Sequence, residues 1–289
     1  MALEWEAGRY PFVMASLLAL ISSVLWGSAD YHGGKLSKRF PAIAVLGISQ
    51  GFGLIFGIFL VVTLNEFDGV DRGFLIPGAL AGIAGYIGLI CLYSGLSTGP
   101  MGVVSPISSL SAVIPLSIAL VGGEVLTVAQ AVGVVAALIG AFCASGPELS
   151  QGVSVKPLLL ALSAALCFGA AMSLMAIGSR SSALLTMVMM RTVTLFISCA
   201  IAARHKTLGG LTRSETPLLI FIGVSDFLAN LLMGVATTKG LISLVMVLAS
   251  LYPIATALLA FKFLHERLMK VQYFGIILAV AGVALISAT

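Results

Sequence analysis

One segment of this chain occurs twice. Residues 253–283 hold Pro253, Glu266, Gln272, Gly275 and Gly282, and residues 115–141 hold Pro115, Glu124, Gln130, Gly133 and Gly140. From the glutamate onward, each residue of the first copy meets its partner 142 positions later without a gap. Upstream the register loosens: Pro115 stands closer to Glu124 than Pro253 does to Glu266, and the ungapped offset puts Ser111 opposite Pro253. Trp26-Gly27-Ser28-Ala29 answers Phe168-Gly169-Ala170-Ala171 at the same offset, and Gln50 answers Arg191 one residue short of it. A period half a chain long decides architecture before any local pattern does.

The medium follows from composition. With 60% apolar and 9% charged residues and a mean hydropathy of +1.15, the 289-residue chain lacks the polar residues to cover itself in water. It reads as an integral membrane protein. Crossing roughly 30 Å of hydrocarbon takes about 20 helical residues, and runs of that kind fall at 12–31, 41–64, 74–97, 101–122, 127–145, 157–178, 183–203, 217–238, 241–262 and 271–288. The expectation is an all-α membrane protein of ten transmembrane helices: a first five-helix repeat over 1–145, a linker over 146–156 and a second repeat over 157–289. Five is odd, so the second repeat enters the membrane in the opposite sense, an arrangement that secondary transporters use. The first run follows Glu4 and Glu6 and ends in Asp30-Tyr31-His32, unlike a cleaved signal peptide.

Several function classes are disfavoured. Most Lys and Arg lie in short gaps between apolar runs, as headgroup anchors rather than a nucleic-acid stripe. Cys91, Cys143, Cys167 and Cys199 sit within apolar runs without Cys-x-x-Cys spacing, so they read as packing residues, with neither disulfide nor metal site. The sequence carries no His-Glu-x-x-His, Gly-x-Ser-x-Gly or phosphate-binding glycine loop. No catalysis and no cofactor are expected.

Ionisable groups at membrane depth mark candidate sites. Arg191 lies about 12 Å into its helix, and Asp226 about 16 Å from the same face on the following antiparallel helix, at ~1.5 Å per residue. Asn230, one turn along, shares the Asp226 face. The three are expected to meet, either as a buried pair fixing two helices or as a substrate site in which Arg191 takes a substrate anion and Asp226 accepts a proton. Asp30, a second candidate for proton coupling, either lines the mouth of the pathway or lies at the water interface, and Gly33-Gly34-Lys35 immediately after it favours the interface. Trp26, Tyr86, Tyr93, Phe227 and Tyr252 offer an aromatic lining, with packing or an interface belt as the alternative for each. Ser105, Ser108 and Ser111 recur every three residues around Pro106 and Pro115, marking either a kinked cavity wall or close helix packing. Glu124 and Glu266 stand ahead of the fifth and tenth helices, where a carboxylate accepts from free N–H groups of the next helix start. Their expected role, with Pro115 and Pro253, is structural. Gly133/Gly140 and Gly275/Gly282 suit a close helix contact inside the bundle or the seam of a homodimer.

The doubled glutamate segment, with Trp26-Gly27 and Lys35 at the end of the first helix, resembles the EamA-type permeases of the drug/metabolite transporter superfamily. The resemblance runs over nearly the whole chain. It implies a ten-helix carrier in a cell (inner) membrane that exports or exchanges a small organic metabolite, with protons as a possible coupling ion. A passive channel or a membrane binding protein is the alternative. The first copy departs from the family pattern at Gly123-Glu124-Val125, at Gln50 and at Ser111, so the halves are not expected to be equivalent. Basic loops after helices 1, 7 and 9 place both termini outside by the positive-inside rule, whereas the resemblance places both inside. The two agree that the termini share a side.

Overall fold

A chain in hydrocarbon has to satisfy its backbone N–H and C=O groups within itself, and helices do this within each span. The structure, a computed structural model, describes residues 2–66, 71–98, 104, 107–144, 155–205, 209–264 and 269–288, and among them there are helices and turns but no strand. Glu266, Arg267, Ser105, Pro106 and most of the 146–156 linker lie outside the described residues.

The helices are α1 (Ala2–Ser37), α2 (Ala42–Thr63), α3 (Leu75–Thr98), α4 (Val113–Val121, entered through a 3-10 turn at Leu110–Ala112) and α5 (Val128–Ala144). The second half begins with a helical run, Val155–His205, broken at Ser182 by an extended residue (φ −158°, ψ 121°). The break separates α6 (155–181) from α7 (183–205). The Ser182 hydroxyl accepts from the Leu185 N–H at 3.1 Å and so caps the second arm. Then come α8 (Thr216–Thr237), α9 (Ile242–Ala249), α10 (Tyr252–Leu264) and α11 (Lys270–Ala288). Six helices are long and apolar enough to cross a membrane, and three shorter apolar ones accompany them. This is a multi-pass membrane protein. Ile55, Val62, Ile76, Phe196 and Ile277 stand outward, as suits lipid-facing side chains.

Three differences from the sequence expectation carry physical content. First, α1 continues to Ser37 instead of ending near residue 31. Gly33 is no helix stop: a Cβ there would collide with the Tyr93 hydroxyl, so this glycine lets α3 approach α1. Second, the run expected at 241–262 is two helices, with Ser250 and Leu251 between them and Pro253 in the first turn of α10, where its missing N–H breaks no helical bond. Pro115 occupies the matching first turn of α4. Third, Glu124 does not serve the helix that follows it. Its two oxygens accept from the N–H groups of Ile242 (2.9 Å) and Ser243 (3.0 Å), at the start of α9 in the other half. Thr127 and Gln130 already cap α5 reciprocally, leaving the carboxylate free to reach across.

The glycine faces meet each other. A Cβ on Gly140 would strike Ala279, and one on Gly282 would strike Ala137; Gly133 faces Leu285 and Ile286, and Gly275 faces Cys143 and Ala144. Each contact is its counterpart moved by 142 positions in both partners. The α5–α11 seam is therefore a local two-fold contact within one chain, which settles the choice left open by the sequence in favour of contact inside the bundle.

Candidate functional site

Between the halves lies a cavity, with the breaks before α4 and α10 at its wall. It is lined from α1 by Trp26 and Asp30, from α3 by Tyr86 and Leu89, from the turn before α4 by Ser111, and from α6 by Phe168, Met172 and Met175. Met190, Arg191 and Thr194 come from α7, Asp226 and Asn230 from α8, and Tyr252 from the first residue of α10. The first, third, fourth, sixth, seventh, eighth and ninth of the expected spans thus all contribute to the lining.

At one wall the expected trio comes together. Arg191 forms an ion pair with the Asp226 carboxylate at 2.7 Å. Asn230 Nδ2 donates to the other Asp226 oxygen at 3.2 Å and to the Asp226 backbone carbonyl at 2.6 Å. Gln50 Nε2, from α2, donates at 2.9 Å to the same oxygen that Arg191 holds. The repeat-related residues Gln50 and Arg191 thus converge on one carboxylate oxygen, one from each half. A charge-assisted bond in a low-dielectric interior is strong, and removing one partner is costly.

Asp30, which the sequence favours at the water interface and also offers for proton coupling, is half-buried and lines the cavity from α1. Its neighbour His32 turns away instead, with Nδ1 bonded to the Ser28 carbonyl at 2.8 Å and its ring edge-on to Phe221.

The aromatic candidates divide. Trp26 and Tyr252 meet edge to face, centroids 6.3 Å apart, on the cavity wall. Tyr86 lines the cavity and shares a 2.7 Å hydrogen bond with the Ser198 hydroxyl. Tyr93 is buried behind the wall against Gly33, and Phe227 packs on Phe56 within the core. Ser111 donates to Met172 Sδ at 3.9 Å, and Ser108 is fully buried. Glu124 accepts at the start of α9, while Pro115 and Pro253 lie in the first turns of α4 and α10, next to the breaks.

Sequence reasoning missed Phe168, Met172, Met175, Met190 and Thr194. Phe168 could have been found, since it is the repeat partner of Trp26. The methionines gave no signal, because an apolar residue facing a cavity looks like one facing lipid or core.

A multi-pass helical membrane protein made of two repeats, with broken helices around a mixed polar and aromatic cavity at their junction, has the build of a transporter. The chain matches the EamA-like transporter family over residues 13–146 and 155–288, one match per half, and it belongs to that family. No curated protein matches it. A crystal structure whose description names no function superposes with a TM-score of 0.77 over 94% of both chains at 17% identity, a likeness that speaks to the fold alone.

Proposed function

We propose that this protein is a secondary carrier of small organic metabolites in a cell (inner) membrane, working by alternating access, with protons as the coupling ion. Counting the two arms around Ser182 separately, α9 with α10 as one span, and the three shorter apolar helices as spans gives ten crossings, arranged as two inverted repeats. The supporting observation is the cavity at the junction of the halves, closed by a carboxylate that both halves hold. Any rocking of one half against the other has to stretch the Gln50 or the Arg191 bond to Asp226. The occupancy of that carboxylate is therefore coupled to the opening of the cavity. On this reading Asp226 is the proton acceptor, Arg191 its counter-charge, and Trp26, Tyr86, Ser111, Asn230 and Tyr252 contact the solute.

Proteoliposomes loaded with a metabolite panel test this. Wild type is expected to concentrate at least one solute when a pH gradient is imposed, and to release labelled solute faster when unlabelled solute is added outside. Asp226→Asn should retain exchange but lose the response to the gradient. A passive channel would show neither accumulation nor acceleration by the opposing solute, and that result would remove the carrier reading.

A further inference from the structure

The charges facing the cavity do not balance. Asp30, Arg191 and Asp226 are the residues with formal charge among the described residues that line it. Arg191 is already committed to Asp226 at 2.7 Å, and Asp226 has further donors in Gln50 and Asn230. Asp30, which lines the same cavity, receives no hydrogen bond or ion pair among the described residues. Among the described residues that line the cavity, Arg191 is the one cation, and Asp226 holds it. Tyr252 of α10 lines the same space, and Tyr93 of α3 packs against Gly33, three residues along α1 from Asp30. On α1 itself, His32 is turned toward Ser28 and Phe221. With Asp30 ionised, one negative charge has no partner among the described residues, in a place where an isolated carboxylate is costly unless a ligand cation meets it.

The walls favour the same sign of ligand. Trp26, Phe168 and Tyr252 line the space with rings whose faces carry partial negative charge, and Met172 and Met175 add polarizable sulfur. An organic anion would meet Asp30, and the Arg191 charge is already paired with Asp226 through Nη2.

We propose that the cavity takes an organic cation, an ammonium or similar charged nitrogen on an apolar body, with its charge against Asp30 and its body against the Trp26, Phe168 and Tyr252 rings. The proposal rests on reading the cavity as the seat of the carried solute.

The test is calorimetric titration of the full-length protein in detergent at neutral pH with benzyltrimethylammonium, and with phenylacetate as an anion of similar size. The cation is expected to bind at least tenfold more tightly than the anion. Asp30→Asn should weaken cation binding at least tenfold, and Asp30→Glu should recover part of the loss. Equal binding of phenylacetate, cation binding unchanged in Asp30→Asn, or no cation binding at all would each overturn the proposal, the last by leaving Asp30 a proton site only. If Asp30→Asn fails to run as a single folded species on gel filtration, the wild-type comparison of cation with anion decides. Flux distinguishes the two readings: Asp30-dependent binding without transport keeps the site and removes the carrier, whereas transport of phenylacetate alone keeps the carrier and removes the site.

Discussion

At the residue scale, the Asp226 carboxylate and its three side-chain donors from α2, α7 and α8 concentrate the polar energy of the interior. Arg191→Ala would leave the carboxylate buried without its counter-charge, an effect of about 3–5 kcal/mol. Thermal unfolding in detergent should show a large drop for Arg191→Ala and recovery of most of it in Arg191→Ala/Asp226→Asn, since the double variant buries no lone charge. Equal melting of the single and double variants would show that the pair is not held against a desolvation penalty. The trio was legible in the sequence because depth follows from helical rise: counting from helix ends on two antiparallel neighbours put Arg191 and Asp226 at similar depth, with Asn230 on the Asp226 face. The inward position of Asp30 was legible only as the less favoured of two alternatives. Gly33-Gly34 carries the local signal of a helix end, and the side chain that makes Gly33 a packing residue, Tyr93, lies 60 positions away.

At the scale of elements, the breaks matter more than the helices. The turn at Leu110–Ala112 and the gap at Ser250–Leu251 interrupt corresponding spans of the two halves beside the cavity, and broken helices expose backbone groups where a ligand sits. α9 is short and buried from Ser243 to Ala249, so the N–H groups at its start have little water to turn to, and Glu124 supplies their acceptors. Glu124→Ala should destabilise the protein by about 1–3 kcal/mol per orphaned donor, with Glu124→Gln retaining one acceptor and part of the stability. Hydrogen exchange at Ile242 and Ser243 reads this directly: faster exchange there, with α3 unchanged, is the expected result, and uniform exchange in the variant would contradict the cap. The repeat in the sequence pointed to Glu124 as structural, yet its partner helix could not be read, because the bond joins residues 118 and 119 positions apart. The prolines indicated where bends would fall. Nothing local indicated that α4 and α10 would begin there as new helices.

At the scale of the whole molecule, the connections gather at two opposite ends. Glu66 and Asp71 bond Ser182 and Ser181, and Glu124 bonds the start of α9; at the other end Gly209 lies against Pro41 and Ala44. In a cysteine-free background, single cysteines at Asp71 and Arg180 should react with a membrane-impermeant thiol reagent from the same side as the termini, and cysteines at Arg39 and Gly210 from the opposite side. Reaction of Arg39→Cys and Asp71→Cys from one side would contradict the ten-crossing topology. The repeat and the run lengths made an all-helical, two-repeat membrane fold readable, while the side occupied by the termini was not, because charge bias and family resemblance disagree. The α5–α11 seam has a further consequence. A patch in which Gly140 seats Ala279 while Gly282 seats Ala137 is self-complementary, the kind of surface on which a five-helix half would pair with an identical copy about a two-fold axis. Joining both halves in one polypeptide supplies that partner permanently and frees each half from matching the other. The residues at the repeat positions of Asp30 and Asp226 are Met172 and Ala84, so the single chain holds an asymmetric set of charges that no homodimer of identical halves can build.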